Sequence, residues 1–406
     1  MSKNRTNTDY CRHVLRVAWT AHRGAMADTG ARAEEFIQRL IPAETFEMAD
    51  SHPDIILFMS GGSERRAIEL TDPARPVLLL SIRGNNAYAA ATEVMAWMVN
   101  NNRIAMLSDA GDAAESGLID RWRMAAGTSE TLHGRRAGLI GTVSEWLVAS
   151  DVTAQTLRER FGVELIGIPW ETLPDYSKED PDLALLDRFG EQKSEELEDA
   201  ARVLTILRRV LHERGLAAIA VECFSLVQER KVTACLALAQ LNSEGTVATC
   251  EGDIASMAGM MAGKALTGIV PWMANTTRIT HDTLILSHCT IGFDLADSVS
   301  LRTHYETGRS VAVDGLIPAG HVTLFRFSDK LDRAFIAGGE IVSRPHLADA
   351  CRTQVEIRLS ANHLRILRES PLGNHILMIP GRHEEALKML CRYKNISHHN
   401  DDQKPS

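Results

Sequence analysis

The sequence predicts an α/β protein, with two doubly wound parallel-sheet domains and then a C-terminal, mostly antiparallel β domain. Three observations point there. Short apolar runs alternate with amphipathic helical stretches through the first third, the pattern of parallel strands buried on both faces. The same alternation restarts near Arg136. From about Ser298 the texture changes to short β-like pieces separated by Gly, Pro and Asp. A chain of 406 residues is also too long for one ordinary core.

The elements follow in order. Asp54–Met59, Pro76–Ser81 and Arg103–Leu107 are strand candidates, each leading into turn residues, and Ala87–Asn100 reads as a helix between two of them. The second unit opens with the strand Arg136–Gly141, continues through a helix ending near Phe161, and adds the strand Val163–Pro169. A charged connection, Asp175–Asp182, leads to a long helix over Glu191–Arg214, closed by Gly215 in the C-cap manner. Gly215–Ser225 is a buried strand with an acid, Glu222, at its far end, where ligands gather in open α/β sheets. Gly320–Phe327 and Gln354–Leu359 are strands of the last domain. The expected boundaries are 1–135, 136–297 and 298–396, with a polar, disordered tail over 397–406.

Composition narrows the function. The formal net charge of −9 speaks against a nucleic-acid binder, which needs clustered cations facing phosphates. The pairs Arg65-Arg66, Arg135-Arg136 and Arg208-Arg209 are isolated and read as solvated helix faces. No apolar stretch reaches the ~18 residues of a membrane span, and Met1–Tyr10 is polar, without a signal-peptide core. Seven scattered cysteines form neither a disulfide framework nor a CxxC pair, so the expected compartment is the cytoplasm.

Four places could carry chemistry. Cys250-Glu251-Gly252-Asp253 sets two carboxylates where a strand gives way to a helix. Such a pair suits a hard cation, although Asp253 could equally cap the helix around Met257–Lys264. His288 closes the apolar run Thr283–Leu286, as a metal ligand or as a hydrogen-bonded core histidine. Arg302 and His304, before the turn at Gly308, could face a polar substrate or belong to a surface network. His375 follows a Gly-Asn turn, on a loop held by flanking strands. No Gly-x-Ser-x-Gly elbow, Walker loop or complete dinucleotide fingerprint is present.

Together with Gly138–Gly141, Ser144–Asp151, Cys235–Ala239, Asn242–Gly245, Trp272–Asn275 and Thr303–Gly308, these motifs resemble, in order, the L-fucose isomerase and L-arabinose isomerase superfamily, particularly its shorter fucose-isomerase-like branch. The resemblance implies a cytoplasmic ketol isomerase that uses Mn²⁺ or another divalent cation and a cis-enediol. It gives Glu251 and Asp253 metal-binding and acid–base roles, and makes His288 and His375 metal ligands. Glu222 becomes the candidate for the family's essential glutamate, at a shifted position, and Ala274 stands near where arabinose isomerases carry an acid. A homo-oligomer, trimer or hexamer, is also implied, with residues near His52 or Arg83 reaching a neighbour's pocket. Two further readings stay open. One is an isomerase for an anionic sugar such as sulfoquinovose, with Arg302, His304 and Arg83 as anion candidates. The other is a sugar-binding or regulatory protein that kept the fold and lost catalysis.

Overall fold

The computed structural model describes residues 13–192 and 194–398. Met1–Tyr10, Cys11 and the tail beyond His398 lie outside the described residues. The chain divides into two compact units, one of Met1–Glu130 with Lys388–Asn395, the other of Thr131–Leu387 with Ile396–Ser406.

In the first unit, β1 (Leu15–Thr20), β2 (Phe46–Met48), β3 (Ile55–Phe58), β4 (Val77–Ser81) and β5 (Ala105–Asp109) form a parallel sheet in the order β2-β1-β3-β4-β5. Its helices are α1 (Thr29–Leu40), α2 (Glu64–Leu70), α3 (Ala87–Asn100), α4 (Ala110–Glu115) and α5 (Leu118–Leu132), the last running into the second unit. α3 lies where its sequence predicts it. Ala87, Ala90, Ala91, Val94 and Met98 recur at helical spacing and pack with Ile56, Phe58 and Leu79 of the sheet.

The second unit holds a four-stranded parallel sheet and a larger antiparallel one. The parallel sheet, in the order β7-β6-β8-β9, is built from β6 (Arg136–Ile140), β7 (Glu164–Ile168), β8 (Ala218–Val221) and β9 (Val247–Cys250). Around it run α6 (Ala154–Phe161), α7 (Leu183–Arg188), α8 (Glu195–Glu213), α9 (Cys223–Arg230), α10 (Cys235–Ser243) and α11 (Ile254–Thr267). α8 begins later than its sequence pattern suggests. Gly190–Gln192 makes a 3₁₀ turn, and the helix starts only where Ser194 accepts from the Leu197 N–H at 3.2 Å. Gly215 follows its C-cap at φ +59°, a conformation that glycine adopts without a Cβ clash.

The remaining strands are β10 (Trp272–Ile279), β11 (Thr283–His288), β12 (Ser298–Thr303), β13 (Val311–Leu316), β14 (His321–Phe327), β15 (Arg333–Ser343), β16 (Thr353–Arg358), β17 (His375–Pro380) and β18 (Ser397–His398), with helices α12 (Ala361–Glu369) and α13 (Glu384–Tyr393). The seven-stranded sheet runs β14-β17-β10-β11-β16-β15-β18, and a β14–β15 pairing closes six of its strands into a barrel-like ring. β12 and β13 pair separately as a hairpin. The antiparallel part thus begins at Trp272, ahead of the boundary read at 298, because β10 and β11 pair with β17 and β16 rather than with the parallel sheet. Ser397 and His398, read as the start of a disordered tail, form β18 and pair with Arg333 and Ala334. Among the described residues, no helix is long and apolar enough to cross a membrane.

Candidate metal centre

β8 and β9 are neighbouring parallel strands whose last residues, Val221 and Cys250, are register partners. Their carboxyl ends therefore place Glu222 and Glu251 side by side in the backbone. After β9 the chain turns through two successive left-handed residues, Glu251 at φ +61° and Gly252 at φ +65°. A Cβ on residue 252 would stand 2.3 Å from the Thr142 carbonyl oxygen, so only glycine fits. Glu251 has no such freedom, and its strained backbone is held by the Ser144 N–H donating to its carbonyl at 3.0 Å. The turn presents the Glu251 side chain to two histidines, His288 at the end of β11 and His375 at the start of β17.

These three residues are buried and form a group able to hold a metal ion. Glu251 Oε1 lies 3.4 Å from His375 Nε2 and 3.8 Å from His288 Nε2. The other carboxylate oxygen accepts the Trp146 indole N–H at 2.6 Å. His288 Nδ1 meets the Thr290 hydroxyl at 3.0 Å, and His375 Nδ1 lies 2.8 Å from Asp253 Oδ2. His375 Nε2 is fully buried with no hydrogen-bond partner. A buried imidazole nitrogen left open beside a carboxylate and a second imidazole fits a divalent cation by position and donor chemistry.

Asp253 is set apart from this group. It caps α11, accepting the Ser256 N–H at 2.7 Å, as its capping reading anticipates. Its second oxygen takes the Ser256 hydroxyl at 2.7 Å, Arg326 Nη1 at 3.0 Å and His375. With its side chain wholly buried and both oxygens engaged by protein groups, Asp253 lies outside the Glu251, His288 and His375 group, where the sequence suggests a direct ligand. Arg326 is fully buried as well and also donates to Ser150 at 2.7 Å, joining α11 to the loop after β6.

Electrostatics follow this layout. Burial alone would raise the Glu251 carboxyl, but the imidazoles of His288 and His375 beside it hold it far below the carboxylate range. Burial opposes the Asp253 charge too, and Arg326 and His375 outweigh it. Burial lowers His288 and favours its neutral, ligating form. His375 is pushed up to about 9, because Asp253 and Glu251 overcome the cost of burial. Metal binding requires Nε2 without its proton.

Glu222 caps α9, its Oε1 accepting the Ser225 N–H at 3.0 Å. His304 is buried, with Nδ1 3.0 Å from the Thr307 hydroxyl and its ring 6.3 Å from that of Phe224. Glu251 lies near enough for its charge to act on His304. Arg302, on the exposed face of the β12–β13 hairpin, pairs with Asp314 at 3.2 Å. Arg83 belongs to the first unit, where it pairs with Asp109 and Asp112. Sequence reading assigned no role to Trp146 or Arg326. For Arg326 there was a signal, a cation between Phe325 and Phe327 in a largely apolar strand, whereas nothing local marks Trp146.

No family model matches the chain. It is similar to two curated proteins named sulfoquinovose isomerase, from Priestia aryabhattai and Priestia megaterium. Each is 26% identical over 211 residues, covering 48% of this chain and 46% of the relative. The chain thus spans about half the length of the curated relatives it matches. This weak likeness to sugar isomerases runs in the same direction as the resemblance carried by the motifs.

Proposed function

We propose that this chain is a cytoplasmic aldose–ketose isomerase acting through a cis-enediol, with Mn²⁺ or a similar divalent cation held by Glu251, His288 and His375. The observation that carries the reading is the buried, unpartnered Nε2 of His375 facing Glu251 Oε1 at 3.4 Å. The likeness to two proteins named sulfoquinovose isomerase supports it and makes a sulfonated sugar the first substrate to try.

When bound, the cation supplies Lewis-acid stabilisation of negative charge on the sugar's carbonyl and adjacent hydroxyl. Asp253 takes the Nδ1–H of His375 and so selects the tautomer that leaves Nε2 open. Arg326 balances the Asp253 charge. Glu222 moves the proton between C1 and C2, its carboxylate anchored by the Ser225 N–H at the strand end beside Glu251. His304 is the polar side chain offered to the sugar hydroxyls, Arg302 is a cation available for an anionic group, and Arg83 is the cation that would reach a neighbouring subunit's pocket. The enzyme works as a homo-oligomer, a trimer or hexamer, which light scattering on the active species checks directly.

The deciding assay supplies the purified chain with Mn²⁺ and a panel of aldoses and ketoses that includes sulfoquinovose, in D₂O. Ketose should form with deuterium incorporated at C1, where the enediol is protonated, and a chelator should stop the reaction. Sugar binding with neither metal nor turnover would instead identify a binding protein built on the same fold.

A further inference from the structure

We infer that Trp146 positions Glu251 in this site and offers the exposed ring face against which the sugar's C–H face lies. The inference rests on the isomerase reading and adds a residue to it. Trp146 sits on the loop after β6, and that loop is fitted to the Glu251 turn at several points. Ser144 donates to the Glu251 carbonyl at 3.0 Å, and Thr142 leaves room only for glycine at 252. Leu147 is buried and anchors the loop, while Val148 beside it is 89% exposed. Trp146 is itself 52% exposed, yet its indole N–H reaches inward to a carboxylate oxygen at 2.6 Å.

That contact has a geometric consequence. Glu251 occupies a strained left-handed conformation, so its backbone alone does not secure the direction of its carboxylate. A hydrogen bond to an ionised acceptor is short and strong, and this one pins Oε2. Oε1 is then the oxygen facing His288 and His375. The indole is braced edge-on by Phe224, with ring centres 4.8 Å apart and planes at 82°. Phe224 lies two residues beyond Glu222, and its ring centre is 6.3 Å from that of His304. Trp146, Phe224 and His304 thus form a continuous aromatic run beginning at the candidate metal ligand. An indole presents a negative ring face, and the C–H groups of a pyranose carry the matching positive edge.

Two variants separate the roles. Trp146→Phe keeps an aromatic face and removes the N–H, whereas Trp146→Ala removes both. In full-length protein, Mn²⁺ titration by calorimetry should show affinity reduced about 10–100-fold in Trp146→Phe, the usual effect of losing a group that orients a ligand. With Mn²⁺ saturating, its KM for sulfoquinovose should stay within about 2-fold of wild type. Trp146→Ala should raise KM by a further ~10-fold, the upper range for an aromatic contact. Wild-type tryptophan emission should also change on adding Mn²⁺, and most of that change should vanish in Trp146→Phe. Wild-type Mn²⁺ affinity in a folded Trp146→Phe protein overturns the positioning role, and an unchanged KM in Trp146→Ala overturns the platform. A wild-type protein that binds no Mn²⁺ and turns over no sugar overturns the isomerase reading itself, and this inference with it.

Discussion

His375 and Asp253 are joined by a 2.8 Å hydrogen bond across 122 residues of sequence, and this bond determines which nitrogen of His375 is free. Because Nδ1 is committed to a carboxylate that is itself locked by Ser256 and Arg326, Nε2 points at Glu251 with no partner of its own. Two residues that both read, in sequence, as ligands thus differ in the structure: His375 keeps a nitrogen open beside Glu251, and Asp253 has both oxygens bound to protein groups.

On the proposed reading that His375 ligates the cation, His375→Ala should weaken Mn²⁺ binding by well over 100-fold, beyond the range seen when only an orienting group is lost. Asp253→Asn should weaken it by about 10–100-fold, because asparagine caps α11 as well as aspartate does but withdraws the charge behind the imidazole. Calorimetric titration of the two variants checks both numbers. Full affinity in His375→Ala would remove that residue from the coordination sphere.

Glu222→Gln should leave the fold and the Mn²⁺ affinity unchanged and lower turnover by about 100-fold or more, the usual contribution of a general acid–base. Glutamine can still accept the Ser225 N–H, so the α9 cap survives. Near-normal turnover in the folded variant would transfer the proton to another group. The role would then fall to Glu251 or Asp253, the two carboxylates of the neighbouring turn.

Arg326→Met leaves the Asp253 carboxylate fully buried without its cation. Breaking a buried pair from one side costs about 3–5 kcal/mol, which urea unfolding of the full chain should report as an early transition. The double variant with Asp253→Asn should recover part of that loss, as no uncompensated charge remains. A single variant as stable as wild type would show that the pair contributes nothing.

The first unit carries its own pH dependence. Asp54 is buried and accepts from the Arg16 N–H at 2.9 Å, with His13 and Arg75 each at 3.2 Å, and Glu130 lies 2.7 Å from the other His13 nitrogen. Burial is the largest influence and works against both charges, but the hydrogen bonds and opposite charges around each group together outweigh it, raising His13 and lowering Asp54. The His13 contribution is complete below its unfolded value near 6.5 and fades as pH rises through the folded one. The Asp54 contribution is present above 3.8 and fades as pH falls through its lowered value. Stability from this pair should therefore be greatest between about pH 4 and 6.5. Thermal melts across pH should show the decline on the alkaline side, and His13→Gln should flatten it; an unchanged slope in that variant would refute the pairing.

The sequence by itself determined the elements and the class of fold. α3, the parallel strands and the Glu251–Asp253 turn are local, and the spacing of Ala87, Ala90, Ala91, Val94 and Met98 or a glycine between two acids is visible without any partner. Glu251 could be picked out from the pair of carboxylates around a glycine where a strand gives way to a helix, His288 from its place at the close of an apolar run, and His375 from the Gly-Asn turn before it. Only the tertiary structure decided what those residues do to one another. Trp146 reaches Glu251 across 105 residues and Arg326 reaches Asp253 across 73. Neither separation leaves a periodicity to detect. The division of labour between Glu251 and Asp253, and the assignment of Trp272–His288 to the antiparallel sheet, depend on which strands pair. That pairing is settled by packing between distant segments, and the local pattern carries no information about the partner.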